Sequence, residues 1–388
     1  MAEAVLQLSP RVARTDWVAV VRELGDGFAA RAAAHDRDGT FVAENYEELR
    51  ARRVFWAAIP TELGGGGAGY GELIGVIREM GRHCGSTALA FAMHAHPVAV
   101  NVYRYLRGDA KAEKALRKIA GGALVIAGTG ANDWLDSSGE AERVEGGYRV
   151  RARKRFVSGA PGAQLFVTSV VLAGATGRDV LHFAVPFAAP GVKILETWDA
   201  LGMRGTGSHD VVLDGVHVSD ETIVGRRPAG VWHTMWDVVL PTAMPLITAA
   251  YVGMVEAAAA LATDAARPRG AELAPLVGEL SNALTIAQLA LDDMVRLNGE
   301  NGFTPGAGLT SAVLARKAVA TEALKQAVEL LAELAGGAGF RRGHPVERVV
   351  RDVRAMHFHP LPARRQRLFT GRVALGLDPV TDAPATQT

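Results

Sequence analysis

Apolar positions recur every three to four residues in the first and last parts of the chain, and in short alternating runs between them. Residues 11–34 place Trp17, Val20, Val21 and Leu24 on one stripe, which predicts a first helix. Residues 46–53 predict a second, more polar one. VFWAAIP follows, an apolar run ended by Pro60 that reads as buried. Residues 71–83 and 86–106 predict two further helices, the second very apolar. His96 precedes Pro97, and a residue before proline is pushed out of the α region, so a local break is expected there.

The period then changes. From about residue 124 to 224, GYRVRARKRFVSG, QLFVTSVVL, DVLHFAVPF, GVKIL and HDVVLDGVHV read as strands between Gly, Asp and Pro turns. From Trp232 onward the helical period returns, with helices expected over 246–264, 273–298, 310–335, 346–356 and 364–375. Short loops and small residues suggest a bundle. The chain is therefore expected to be α+β in the order helical, β, helical. The limits are residues 1–120 for an all-α domain, 121–228 for a middle β domain, 229–378 for a C-terminal bundle and 379–388 for a disordered polar tail.

Composition narrows the function. The chain has 388 residues and a formal net charge of +1, which argues against a dedicated nucleic-acid binder. The one cysteine, Cys84, excludes an intramolecular disulfide framework and disfavours a thiolate metal site. The N-terminus lacks the apolar core of a signal peptide, and no stretch reads as a membrane span. A cytoplasmic setting is expected.

Candidate chemistry is sparse. LGGGGAG at residues 63–69 contains G-x-G-x-x-G, but no βαβ context surrounds it, so a flexible loop is the better reading. His94 and His96 lie in an apolar helix and read first as packed core residues; a pocket role stays open for His96. His357 and His359 are two residues apart, on nearly opposite sides of a helix, and make a poor metal pair. Pro360 and Pro362 stop the helix there. Either it simply ends, or an active-site turn aims one imidazole into a pocket.

Several motifs, in order and at matching spacing, resemble the acyl-CoA dehydrogenase superfamily over roughly residues 46–377. LGGGGAGYGELIGVIREMGR resembles its glycine loop and following helix. KRFVSGAP resembles its K-x-W-I-[TS] strand, and LGMRGTGSHDVVLDGVHV its L-G-x-R-x-S-x-T segment. GGAGFRRGHPVERVVRD resembles its G-G-x-G-[FY] and R-D signature. The resemblance implies a helical domain, a middle β domain and a C-terminal four-helix bundle, with a flavin between the last two. It implies that Phe156 packs on the flavin ring, that Ser158 reaches its reactive edge, and that Asn132 lies in a flavin- or substrate-binding turn. Gly336 and Gly337 would let backbone approach the flavin phosphates. Arg204 reads as a structural ion-pair partner.

The departures from that family pattern bear on the chemistry. Dehydrogenation needs a carboxylate to take the α-proton. Gapless comparison puts Pro360 at the usual glutamate, and VVLPTAMPLITAAYVG, at the family's other site for the base, has no carboxylate. R-D-x-R-x-x-x-x-H instead resembles the family's flavin-dependent monooxygenase branch, which includes dibenzothiophene monooxygenase. That branch takes reduced flavin from a separate reductase and uses O2 through a C4a-hydroperoxide. His359, Ser158 and His96 would then serve the oxygenation. No arginine stands between Arg269 and Arg296, which puts tight FAD binding in doubt and leaves FMN or FAD open. A dehydrogenase with His359 as base, and an inactive scaffold or partner subunit, are the alternatives. The resemblance also implies a homotetramer or homodimer acting on a small molecule, with no nucleic acid and no membrane.

Overall fold

Local chemistry sets the helix limits in the computed structural model, which describes residues 14–129, 133–174 and 177–381. Asp16 accepts a hydrogen bond from the Ala19 amide at 3.0 Å and starts α1 (Trp17–Asp38); Gly39, at φ +67°, ends it. That shifts the first helix toward the C-terminus from the expected 11–34. After it come α2 (Ala43–Ala51), α3 (Tyr70–His83), α4 (Gly85–Tyr105) and α5 (Ala110–Gly121). Pro97 does not break α4, contrary to expectation. The helix is long and buried on several sides, and Asn101 Nδ2 donates to the Pro97 carbonyl at 2.8 Å. Packing therefore outweighs one lost backbone bond.

The middle region is a sheet of eight strands. These are β1 (Ile126–Gly128), β2 (Glu140–Val144), β3 (Gly147–Val157), β4 (Leu165–Gly174), β5 (Gly177–Pro186), β6 (Val192–Leu195), β7 (His209–Ser219) and β8 (Ile223–Pro228). They pair in the order β6-β7-β3-β2-β4-β5-β8, with β1 parallel to β4. The β3–β7 register shifts between Lys154 and Val157, at the end of β3 that matters below.

The C-terminal helices are α6 (Trp236–Ala266), α7 (Gly270–Asn298), α8 (Ala307–Ala335), α9 (Pro345–Val353) and α10 (Ala363–Ala374). α6 packs on α3, α4, α7 and α8, so it joins the two helical regions. It starts ten residues before the expected Leu246 and runs through Pro241 and Pro245. Pro245 has no amide to offer the Pro241 carbonyl, and Asn298 Nδ2 points to that oxygen at 3.4 Å. The run Val238–Val255 carries no charge, so by composition a span-like stretch exists where none was expected; 89% of the apolar window is buried in the fold, as in a core helix. The start of the expected tail is ordered: Arg372 Nε donates to the Asp378 carbonyl at 2.6 Å, and Asp378 caps Val380 and Thr381, so residues 378–381 form a fixed turn. Residues 382–388 lie outside the described residues.

Candidate active site

The end of β3 is built on a buried lysine. Lys154 Nζ donates to Asp133 Oδ2 at 2.9 Å, Ser137 Oγ at 2.9 Å and the Ser138 carbonyl at 2.6 Å, fixing the 133–138 loop to the strand. Burial pulls the lysine pKa down and the Asp133 carboxylate opposes that. Past Lys154 the register shift re-aims the side chains. Phe156 is 52% exposed and stands edge-on to Trp198, with ring centroids 5.6 Å apart. Ser158 Oγ lies 2.7 Å from Ser208 Oγ. Asn132 lies outside the described residues.

The signature helix α9 holds the segment that carries Ser208. Arg351 donates to Asp36, Glu347 and the Leu201 carbonyl, and these carboxylates hold the guanidinium firmly protonated. Asp352 is buried and accepts from the Met203 amide. Burial pushes its carboxyl up to about 7. Arg204 donates to Asp199 and the Asp36 carbonyl, a structural role as expected. The R-D motif and the L-G-M-R motif are thus each other's binding partners.

Seven residues after Asp352 the chain turns at His359. A short 3-10 turn, Arg354–Phe358, ends there, and His359 adopts φ −67°, ψ 147°, as the following proline demands. His359 Nε2 lies 2.7 Å from the Tyr251 hydroxyl of α6. Lys317 Nζ donates to the His359 carbonyl at 3.1 Å. Burial and then the Lys317 charge depress the imidazole to about 3, so the ring is neutral at physiological pH. Burial brings Lys317 down to about 8. Tyr251 is fully buried, which raises its phenol, so it stays a hydroxyl and shares one hydrogen with Nε2, in a direction set by the imidazole tautomer. Nδ1 has no hydrogen-bond partner among the described residues. His357 lines a cavity shared with Lys317, Gln326 and Gln366.

The other candidates separate. His94 uses both ring nitrogens: Nε2 donates to the Phe55 carbonyl at 2.7 Å, and Nδ1 accepts from the Ile126 amide at 3.0 Å. It pins α4 to β1. His96 Nδ1 turns back to the Ala92 carbonyl of its own helix at 3.2 Å. No hydrogen bond among the described residues joins His96, Ser158 and His359. Ser158 and His359 are linked indirectly, through the 201–208 segment bound to Asp352. Gly336, at φ +57°, and Gly337 face open space. The glycine loop is no phosphate cradle: the Tyr70 and Gly71 amides at the start of α3 are taken by Glu300 at 2.6 and 2.7 Å. Gly65 and Gly66 are needed for packing, since a Cβ would lie 2.1 Å from the Ile59 carbonyl and 2.2 Å from Trp17.

Sequence reasoning missed Tyr251, Lys317, Ser208 and Thr206. The one signal for Tyr251 was a large aromatic amid the small residues of ITAAYVG. The half-exposed Phe156 face, the Trp198 edge and a hydroxyl beside them suit a flat, largely apolar ring with polar edges, which is the chemistry of an isoalloxazine.

Comparison with known proteins gives the family and the fold. Residues 15–123, 128–216 and 243–359 match the N-terminal, middle and C-terminal domains of acyl-CoA dehydrogenase. The chain is 30% identical to an amino sugar nitrososynthase of Streptomyces peucetius, over 89% of this chain and 90% of that protein. A nitrososynthase from Micromonospora carbonacea var. africana superposes with a TM-score of 0.85 at 25% identity, over 95% and 98% of the two chains. The FMN-bound dibenzothiophene monooxygenase of Paenibacillus sp. A11-2 shares the fold, with a TM-score of 0.81 at 20% identity, over 93% and 97%.

Proposed function

The chain belongs to the acyl-CoA dehydrogenase superfamily and is a flavin-dependent oxidoreductase of that fold; from this premise we propose that it is a two-component monooxygenase. It takes reduced flavin from a separate reductase and uses O2 to oxygenate a small molecule. The observation that carries this reading is the His359 turn. A neutral imidazole, fixed through Nε2 by Tyr251 and through its carbonyl by Lys317, stands beside Pro360 where a dehydrogenase would need a carboxylate. The buried aspartates of α6 and α9 are engaged elsewhere. Asp237 of α6 accepts from Thr310 at 2.6 Å and Trp232 at 3.3 Å, and Asp352 is tied to Met203.

Reduced flavin, when bound, supplies the electrons that activate O2. The chain's own residues do the rest. Phe156 and Trp198 form the apolar floor of the ring site and limit water. Ser158 meets the ring edge. We assign Tyr251 as the donor to Nε2, which puts the His359 ring proton on Nδ1 as a fixed hydrogen-bond donor that can orient oxygen or substrate. Gly336 and Gly337 offer unobstructed backbone to the flavin phosphates.

FMN is favoured over FAD. The arginines flanking the gap in α7 are already paired, Arg269 with Glu272 and Arg296 with Asp293. A homodimer or homotetramer is supported by Leu261, Leu289, Leu368 and Leu375, each more than half exposed on the C-terminal helices. Relatives named for amino sugars and dibenzothiophene leave the substrate class open between amine and aromatic sulfur compounds.

The test is to mix the protein, loaded anaerobically with reduced FMN, with aerated buffer. Oxidised flavin should return at least about tenfold more slowly than from free reduced FMN, because the site shields it from water. A rate equal to that of free flavin would sink the proposal.

A further inference from the structure

Beyond Ser158 lies a chain of hydroxyls with one direction. Ser158 Oγ is 2.7 Å from Ser208 Oγ, Ser208 Oγ is 2.6 Å from Thr206 Oγ1, and Thr206 Oγ1 is 2.8 Å from the Met203 carbonyl oxygen. Oxygens this close need a hydrogen between them. The three contacts therefore need three hydrogens, and the three hydroxyls have one each. The carbonyl has none. Thr206 must donate to Met203, Ser208 to Thr206, and Ser158 to Ser208.

Reversing the chain would leave Thr206 oxygen against carbonyl oxygen with nothing between them. Thr206 is fully buried and Ser208 is 3% exposed, so bulk water does not supply the missing hydrogen. The Met203 carbonyl is itself fixed. It also accepts from the Thr206 amide at 3.1 Å and Trp198 Nε1 at 3.0 Å, while the Met203 amide is held by Asp352. Gly207, at φ +56°, makes the turn between the two hydroxyl residues; a Cβ there would meet Phe41 at 2.8 Å.

We infer that Thr206 and Ser208 are positioning residues that make Ser158 an acceptor-only hydroxyl toward the ring site, and that this selects reduced over oxidised flavin. The inference rests on the proposed placement of the ring at Ser158. The flavin atom whose hydrogen bonding reverses on reduction is N5. It is a bare acceptor in the oxidised ring and carries N–H in the reduced ring. An acceptor-only Ser158 pairs with the reduced form and opposes the oxidised form lone pair to lone pair. The site would thus capture flavin as a reductase releases it and let it go once oxidised.

The test is anaerobic titration of the full-length protein with dithionite-reduced FMN, and a parallel titration with oxidised FMN. Wild type should bind the reduced form about tenfold more tightly or better, the scale of one hydrogen bond gained in place of one opposed. Ser208→Ala frees the Ser158 proton and should bring the ratio to within about threefold, mainly by tightening oxidised FMN. Thr206→Val removes the far end of the chain and should do the same, so the result does not hang on one variant. A ratio unchanged in both variants, with both flavins still bound, overturns the hydroxyl-chain inference alone. Wild type that binds neither form overturns the flavin placement, and the selectivity with it.

Discussion

His96–Pro97 and His359–Pro360 are the same dipeptide in two helical regions, and they behave oppositely. In α4 the helix runs on to Tyr105, and His96 bonds its own helix. At the C-terminal turn the helix stops, His359 extends, and its imidazole and carbonyl are bound by two other helices, α6 through Tyr251 and α8 through Lys317. Proline removes one amide in both places. The difference lies in what surrounds it. α4 is long and embedded, so burial keeps it helical. α9 is short, a second proline follows, and a buried lysine is waiting for the carbonyl. A histidine before a proline becomes a site only where neighbouring helices supply partners for the non-helical geometry.

The largest effect expected from this contrast is on turnover. His359→Ala should lower oxygenation by about 10²- to 10³-fold, the usual range for a lost fixed hydrogen-bond donor at the reacting atoms. Product formation and H2O2 release measured together will check it; uncoupled H2O2 should rise as product falls. Full activity in His359→Ala would erase the distinction between the two regions.

Next is the structural histidine. Burial holds His94 down at about 4, against 6.5 in an unfolded chain. Its contribution is fully present above about pH 6.5 and is lost as pH falls toward 4, on the order of 3 kcal/mol. Urea melts at pH 7 and pH 4.5 should show this loss in wild type and a flatter dependence in a less stable His94→Gln. An equal pH slope in the two would contradict it. Asp352 acts in the opposite sense. Its raised carboxyl costs stability as pH rises from about 4 to about 7, so Asp352→Asn should be relatively more stable at pH 8 than at pH 5.

A smaller change is expected from Tyr251→Phe. The buried ring stays, but His359 loses its Nε2 partner, and turnover should fall about tenfold. The ¹⁵N shifts of His359 should move from a single neutral tautomer to a mixture, a change that loss of packing alone would not produce. His96→Asn should be the mildest for stability, within about 1 kcal/mol of wild type, because only an intrahelical contact is lost. A large destabilisation there would mean that the imidazole, and not burial, keeps α4 whole.

The sequence made the layered order readable because period does not depend on distant partners. Helical and alternating runs announce themselves, and the family motifs fall on the elements expected. The imidazole at 359 could be read from its prolines. What gives it a role could not: Tyr251 lies more than a hundred residues earlier and Lys317 on yet another helix, so only folding reveals their hydrogen bonds. The same holds for Ser208 and Thr206. They look like turn residues in RGTGSHD, and the direction of their hydrogen bonds depends on the Met203 carbonyl. The glycine loop shows the converse error of pattern matching. Its spacing suits a phosphate, yet Glu300, from the α7–α8 turn, already occupies the helix end.

The most direct test of the central claim is the absorbance of protein saturated with oxidised FMN, its binding confirmed by titration, during anaerobic addition of straight- and branched-chain acyl-CoAs. With an imidazole in place of a carboxylate base, the oxidised flavin band should persist through the whole series. Rapid bleaching by any acyl-CoA, lost in His359→Ala, would contradict the monooxygenase account and make this chain a dehydrogenase with a histidine base.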